Sequence, residues 1–459
     1  MPVKISRFIR IGWPVSLGLA LSTLLGIVDL GFVSTLGKSA VAGVGLVGTV
    51  YWLLTILPDL FGAGVLAAVA RAIGCGNHGE AGSALRTGLK GAWALSIIVA
   101  TLGFFCTPAI IDFFNVEPDV YNIGVSFFRI TLLSFPFMAT TFIANSALYG
   151  AGYTYVPLIV MGGANIVNIA LNPCLILGLG PFPRLGTDGS ALATLISTFL
   201  AAVAILLYLQ SRHSPMKPFG RNRGVGGEPW LGRLIKVGGN AAAQSLMRPL
   251  TATFLYRIVA AFGTTALASF AIGVRCLNFT FIFTAGLNTA TSALVGQALG
   301  RADLSEARYV SKLAIKSTLL IQLFLSLVYF LGASLIISVF NTTGDPGVAS
   351  AGVSYLEKVA IGLLLGFMAF PLAATFRGAG DTAPPMWSAF IANWPIKLGL
   401  AYILSGLLFS DFPWLSQKLG FVINWGVAGI WWAIAASLAT EGWILWLFLR
   451  RGRWLHKRI

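Results

Sequence analysis

The feature that most narrows the possible folds is a succession of long apolar runs separated by charged or Gly/Pro-rich breaks. Twelve such runs lie near residues 9–33, 41–70, 88–111, 120–147, 155–179, 189–210, 231–261, 265–298, 314–340, 352–375, 386–409 and 425–449. The first covers about 25 residues, enough at about 1.5 Å rise per residue to cross the hydrocarbon of a bilayer. Inside lipid every backbone N–H and C=O must be satisfied within the protein, and continuous apolar runs of this length predict helices. The expected fold is all-α and integral to the membrane. Only 10% of the residues are charged, against roughly 25% in a soluble domain.

Loop charge sets the orientation. Of the 31 Lys and Arg, 22 lie at the termini or in alternate loops, most densely as Arg212, Lys217, Arg221, Arg223, Arg233 and Lys236 after the sixth run. The opposite loops hold Lys38, Arg184, Lys358 and Lys418 beside seven acids. By the positive-inside rule both termini face the cytoplasm, as expected for a multi-pass plasma-membrane protein. The net charge of +16 then reflects topology, with attraction to membrane lipid headgroups as a by-product. No basic groove interleaves with exposed aromatics, so nucleic acid is not an expected partner.

Cys75, Cys106, Cys174 and Cys276 form no CxxC and no ligand-like spacing, so neither a disulfide framework nor a zinc site is indicated. The first run is too long for a signal-peptide core and lacks a small-residue cleavage site. Gly43-Val-Gly-Leu-Val-Gly48 fits GxGxxG but lies in an apolar run with no strand before it. Asn341-Thr-Thr343 is a glycosylation sequon on the expected outer side. No Walker motif or nucleophile–His arrangement occurs; neither enzymatic activity nor a cofactor is expected.

The two halves of the chain are related. Arg71-Ala-Ile-Gly74…Glu80-Ala81 recurs as Gln297-Ala-Leu-Gly300…Glu306-Ala307. Tyr149-Gly-Ala-Gly-Tyr-Thr154…Pro157…Asn165 recurs as Arg377-Gly-Ala-Gly-Asp-Thr382…Pro385…Asn393, and Gly37…Ala40-Val-Ala42 as Gly263…Ala266-Leu-Ala268. With six runs per half the repeats share one orientation, predicting two pseudo-symmetric six-helix lobes around a central cavity. The expected lobes are residues 1–213 and 230–459, joined by a cytoplasmic linker at 214–229. This is the architecture of a secondary transporter, and a monomer is expected.

One acid interrupts the first run. Asp29 sits in Leu25-Gly-Ile-Val-Asp-Leu-Gly-Phe32, where a charge at mid-span costs roughly 2.5–3.5 kcal/mol, and intramembrane acids mark ion or proton routes unless they are structurally paired. Burial penalises the charged form of a carboxyl group, which fits such a group to carry a proton. Asn165, Asn168 and Asn172 are spaced to share one helical face, as glue between helices or as partners converging on Asp29. Pro14 and Pro173 either free backbone carbonyls or bend their helices. Asp59, after Pro58, lines the cavity or bridges to Arg248, Arg275 or Lys397. Glu441 reads as a helix-pairing residue. Phe279 is one of several rings on the eighth run suited to flat organic cations.

These blocks resemble the multidrug and toxic compound extrusion (MATE) family, in the larger group that includes polysaccharide and lipid flippases. The matching pieces are Gly12-Trp13-Pro14, Val28-Asp29…Leu36-Gly37…Ala40-Val41-Ala42, Gly150-Ala-Gly-Tyr-Thr154…Asn168-Ile-Ala-Leu-Asn172-Pro173, Gly263…Arg275 and Gly378-Ala-Gly-Asp-Thr382. The chain most resembles the DNA-damage-inducible branch, in which coupling is assigned to the N-terminal lobe. The resemblance implies export of organic cations and other amphipathic molecules, driven by inward protons or sodium. It carries Asp29, Asn168 and Thr194 onto the family's coupling cluster. Asn172 departs from the pattern, where the family usually has Asp. With one fewer acid the pull on sodium weakens, and protons are the expected ion, with sodium at Asp29 the alternative. Leu255 stands where the repeat would put a second Asp29, and Arg248 where another branch carries a seventh-span acid. A lipid-linked saccharide flippase and a non-coupled channel are the competing readings.

Overall fold

The computed structural model describes residues 5–218, 230–341, 344–414 and 423–457. Lys4, Arg221, Arg223, Lys418, Arg458, most of the expected linker (219–229) and Thr342–Thr343 of the sequon lie outside the described residues. The described residues are helical with no strand, in an all-α membrane protein. Among them nine helices are long and apolar enough to span a bilayer, or ten if one bent pair is a single span.

Two compact units emerge. The N-terminal unit comprises Ile9–Gly239 together with Gly296–Asp303; the C-terminal unit comprises Met1–Phe8, Asn240–Val295 and Leu304–Arg458. The N-terminal unit thus runs past the expected linker and takes in the end of a helix from the second repeat. Its helices are α1 (Ile5–Ser34, whose first turn belongs to the other unit), α2 (Lys38–Leu54), α3 (Asp59–Gly74), α4 (His78–Asp112), α5 (Pro118–Ala151), α6 (Tyr155–Leu177) and α7 (Thr187–Gln210).

Several expected spans are broken where the sequence removes backbone donors or side-chain bulk. The run 41–70 is two helices, α2 and α3, bent by 46°. Pro58 has no N–H to continue the helix, and the chain turns through Thr55–Pro58 before restarting. Asp59 opens α3, where a carboxylate complements the positive end of the helix dipole. Conversely, α4 begins at His78, well before its apolar stretch, because Asn77 caps it: Asn77 Oδ1 accepts from Glu80 N at 3.1 Å and its Nδ2 donates to Glu80 Oε2 at 3.1 Å. This cap accounts for Glu80 in the repeated block. The start of the linker lies on α4, with His78 Nδ1 donating to Pro215 O at 2.7 Å and Arg86 Nε donating to Pro218 O.

The C-terminal unit is built from α8 (Trp230–Ala260, whose first turns belong to the other unit), α9 (Thr264–Gly300), α10 (Leu304–Leu331), α11 (Ala333–Phe340), α12 (Pro346–Leu365), α13 (Ala369–Ala379) and α14 (Ala383–Ile391). A π-helical stretch Ala392–Gly399 follows, then α15 (Leu400–Leu404), α16 (Leu407–Asp411) and α17 (Val427–Arg450). The expected runs 314–340 and 352–375 are each divided in two, at Gly332 and around Gly366, and 386–409 is remade as several short pieces around Pro395. The core of this unit is aromatic. Phe270 stacks on Trp431 with centroids 5.7 Å apart, and Tyr355 meets the same indole edge-on at 4.9 Å.

Helices in lipid gain little from apolar burial against each other, so close packing at small residues carries much of their association. Gly150 has its missing Cβ position against the backbone O of Leu66, and its repeat counterpart Gly378 stands likewise against Ser292 O. Gly74 abuts the backbone of Gln297, and Gly300 abuts that of Arg71, so the two copies of that block clasp each other within the N-terminal unit. Gln297 Nε2 completes the clasp by donating to Gly150 O at 2.9 Å.

Because backbone cannot give way, Gly150→Val and Gly378→Val should each cost about 1–3 kcal/mol or more and lower the unfolding midpoint of detergent-solubilised protein by about 2–10 °C. Gly163→Ala, where nothing lies within 4 Å, should leave it unchanged. Fluorescence-detected thermal unfolding is the measurement.

Candidate functional site

The least buried span is α1: only 11% of its most apolar window is buried, the lowest share among the candidate spans. Contacts with α6 are spaced along it. Trp13 Nε1 donates to Tyr155 OH at 3.2 Å with the rings edge-to-face. Gly18 faces Leu158. Near the other end, Asn172 Nδ2 donates to Asp29 Oδ1 at 2.5 Å. Both helices continue past their internal prolines, Pro14 in α1 and Pro173 in α6.

The Asp29 carboxyl group heads a polar chain running into the bundle. Asn172 Nδ2 also donates to Asn168 Oδ1 at 3.0 Å. Asn168 Nδ2 in turn lies 3.3 Å from Thr194 Oγ1 and 3.4 Å from Ser197 Oγ on α7. Ser197 Oγ donates to the Thr194 carbonyl at 3.0 Å. Asn168 and Asn172 are buried at 2% and 0% exposure, and Asp29 is half-buried at the open end. Asn172 Oδ1 is buried with no hydrogen-bond partner among the described residues, which leaves a carbonyl acceptor beside the carboxyl group.

The structure therefore brings Asp29, Asn168, Asn172 and Thr194 together. Asn165 stays apart: its buried Nδ2 has no partner among the described residues. Ser197 was missed by the sequence reading, although its i+3 spacing from Thr194 puts it on the same face of α7. No group of three or more His, Cys, Asp or Glu that could hold a metal ion occurs among the described residues.

The remaining candidates lie in the C-terminal unit. Arg248 forms a fork with Glu441, 3.2 Å to each carboxylate oxygen, which gives Glu441 its helix-pairing role. The guanidinium also lies 4.9 Å above Phe370 and 5.6 Å above Phe281. Lys397, in the π-helical stretch, donates to Asn393 Oδ1 at 2.5 Å. Arg275 and Phe279 lie one turn apart on an exposed stripe of α9. Leu255, the counterpart of Asp29, is 3% exposed in the apolar core.

Comparison with known proteins agrees with this architecture. The MatE family model matches residues 14–174 and again 241–403, once in each half. The chain is 26% identical over 459 residues to the probable multidrug resistance protein NorM of Thermotoga maritima, covering 98% of this chain and 92% of that one. It is 28% identical over 347 residues to the FAD transporter of Shewanella oneidensis, covering 73% and 75%. Among solved structures it resembles a MOP superfamily transporter from Pyrococcus furiosus, described by the reverse polarity of its binding pocket, with TM-score 0.86, 21% identity and coverage of 98% and 96%.

Asn172→Leu should remove the hydrogen bond to Asp29 and the one to Asn168 together, costing about 2–3 kcal/mol. Ser197→Ala leaves Thr194 as acceptor and should cost less than about 1 kcal/mol. Thermal unfolding of the two purified variants tests this order. The duplicated family match and the all-α membrane fold make the protein a multi-pass plasma-membrane transporter of the MatE family, not an enzyme.

Proposed function

We propose that this chain exports amphipathic, mostly cationic, small organic molecules by antiport against inward-moving protons. Two six-helix lobes with both termini cytoplasmic alternate access in a single monomer of twelve spans. The observation that carries this reading is the Asp29 carboxyl group, hydrogen-bonded to Asn172 and standing on the least buried span.

In this scheme Asp29, Asn168, Asn172 and Thr194 form the coupling site, with Ser197 behind them. An ionised Asp29 accepts from the Asn172 amide and draws α1 onto α6. Taking up a proton from the outside cancels the charge and weakens that hydrogen bond, on a span that is little buried. The helix repacks, the exit pathway changes, and the proton leaves to the cytoplasm as Asp29 ionises again. One charge moving down 100 mV supplies about 2.3 kcal/mol, enough to bias a two-state equilibrium. A single carboxyl group in the cluster, where Asn172 replaces a second acid, favours protons over sodium. The multidrug resistance names of the relatives support the substrate class.

One observation favours a second reading of substrate charge. Arg248 and Lys397 put two cations into the C-terminal unit against Glu441, and one relative is named an FAD transporter. Substrates bearing an anionic group beside an aromatic ring would then be accepted.

Dye efflux from everted vesicles or cells provides the tests. A proton-collapsing ionophore should abolish efflux while sodium depletion leaves it running; efflux that needs sodium and ignores the proton gradient would refute proton coupling. Asp29→Asn, correctly inserted, should lose gradient-driven efflux at least tenfold, about 1.4 kcal/mol of lost driving interaction. Full-rate efflux by that variant would sink the assignment of Asp29.

A further inference from the structure

At the C-terminal end of the C-terminal unit lies a cavity of about 440 Å³ that the transport scheme does not use. Its charged lining comes largely from the tail: Arg451, Arg453, His456 and Lys457. The tail is fixed there because Trp454 and Leu455, in the 3-10 turn Arg453–His456, are 3% and 5% exposed, so the cations flanking them are held at the rim. The one carboxylate in the lining, Asp381, is matched by Lys457 at 3.2 Å. Arg451 lies 5.4 Å over the ring of Phe448, and neither Arg451 nor Arg453 has an ion pair among the described residues.

The other half of the lining is apolar and aromatic. Phe376, Pro384, Trp387 and Phe448 come from α13, α14 and α17, and the Trp387 indole is 54% exposed. The cavity sits just past Arg450, where spanning helix α17 ends, the level at which a span of that length reaches the interface. Trp and Arg at that depth match an interface, where rings meet acyl carbon and cations meet headgroups. The end of α14 supplies little to an anion, since it opens Ala383-Pro384-Pro385 and two prolines lack N–H groups. Recognition therefore falls to the arginine side chains.

We propose that this cavity binds the phosphate-bearing headgroup of an anionic phospholipid from the leaflet on the side of the C-terminus. Arg451 and Arg453 contact the phosphate, and Trp387 lies along the glycerol and first acyl carbons. The ligand chemistry, a phosphate oxyanion, is shared with free phosphate. The apolar and aromatic half of the lining commits the site to lipid.

The test is native mass spectrometry of the full-length protein in detergent, titrated separately with phosphatidylglycerol, phosphatidylcholine and inorganic phosphate. Wild type should retain phosphatidylglycerol in preference to phosphatidylcholine, and inorganic phosphate should not displace it. Each arginine removed, in Arg451→Gln and Arg453→Gln, should weaken phosphatidylglycerol retention about fivefold, while Arg450→Gln, which faces Trp446 instead, should leave it within about twofold. Equal retention of the two lipids, displacement by inorganic phosphate, or undiminished retention in both cavity variants would each overturn the proposal. Should a glutamine variant fail to fold, Arg451→Lys and Arg453→Lys keep the charge and should retain the lipid; loss in a well-folded lysine pair would count against the charge argument. Binding here is read separately from transport, so failure of the antiport scheme leaves this result intact, and the reverse.

Discussion

The hydrogen bond from the Asn172 amide to the Asp29 carboxyl group is the interaction around which the N-terminal unit makes physical sense. A carboxyl group among apolar helices must be neutral, paired or hydrogen-bonded. Among the described residues no cation is paired with Asp29, so the amide takes that role. Asn172 in turn uses its second N–H on Asn168, whose own amide reaches the hydroxyls of α7. One donor chain thus links α1, α6 and α7. It is buried at the Asn168–Asn172 end and half-open at Asp29, which is the end that has to meet an exchanging proton in the proposed cycle.

Close packing is divided unevenly between elements. Around Gly62–Gly74, Gly88 and Gly150, α3, α4 and α5 press backbone against neighbouring atoms, and the apolar core of Val65, Leu85, Ile143 and Leu148 is sealed. Gly26 and Gly31, on α1, have nothing within 4 Å of their missing Cβ. Glycine serves opposite ends in the two places: close approach in the rigid part, and absence of bulk in the part that carries Asp29. A helix that is little buried can repack at smaller energetic cost than one clasped backbone to backbone.

The units differ in how they treat interior charge. The N-terminal unit holds a carboxyl group by an amide, a hydrogen bond that the proposed cycle has a proton weaken. The C-terminal unit closes Arg248 with a two-pronged Glu441 and two phenylalanine rings, a pairing whose disruption leaves an uncompensated charge. Leu255 fills the position equivalent to Asp29 with core packing. The duplication therefore kept the packing glycines, Gly150 and Gly378, and let the polar chemistry diverge.

Much of this was legible in the residues themselves. Apolar length and loop charge called for membrane helices, the recurring Gly-containing blocks called for a duplicated architecture, and an acid in mid-span singled out Asp29, because lipid permits few backbone solutions and penalises each charge. The spacing of Asn165, Asn168 and Asn172 named a face, but could not say how far along it Asp29 reached; helix α1 meets α6 at Asn172, and Asn165 is left out. Nor could one-dimensional spacing reveal the Arg248–Glu441 pairing or the capture of Gly296–Asp303 by the N-terminal unit. The sequence determined which groups had to be resolved inside the membrane, since solvation cost is a property of each residue. Only the tertiary structure decided which partner resolves each one, because that depends on the axial offset and rotation of packed helices, set by contacts far apart in the chain.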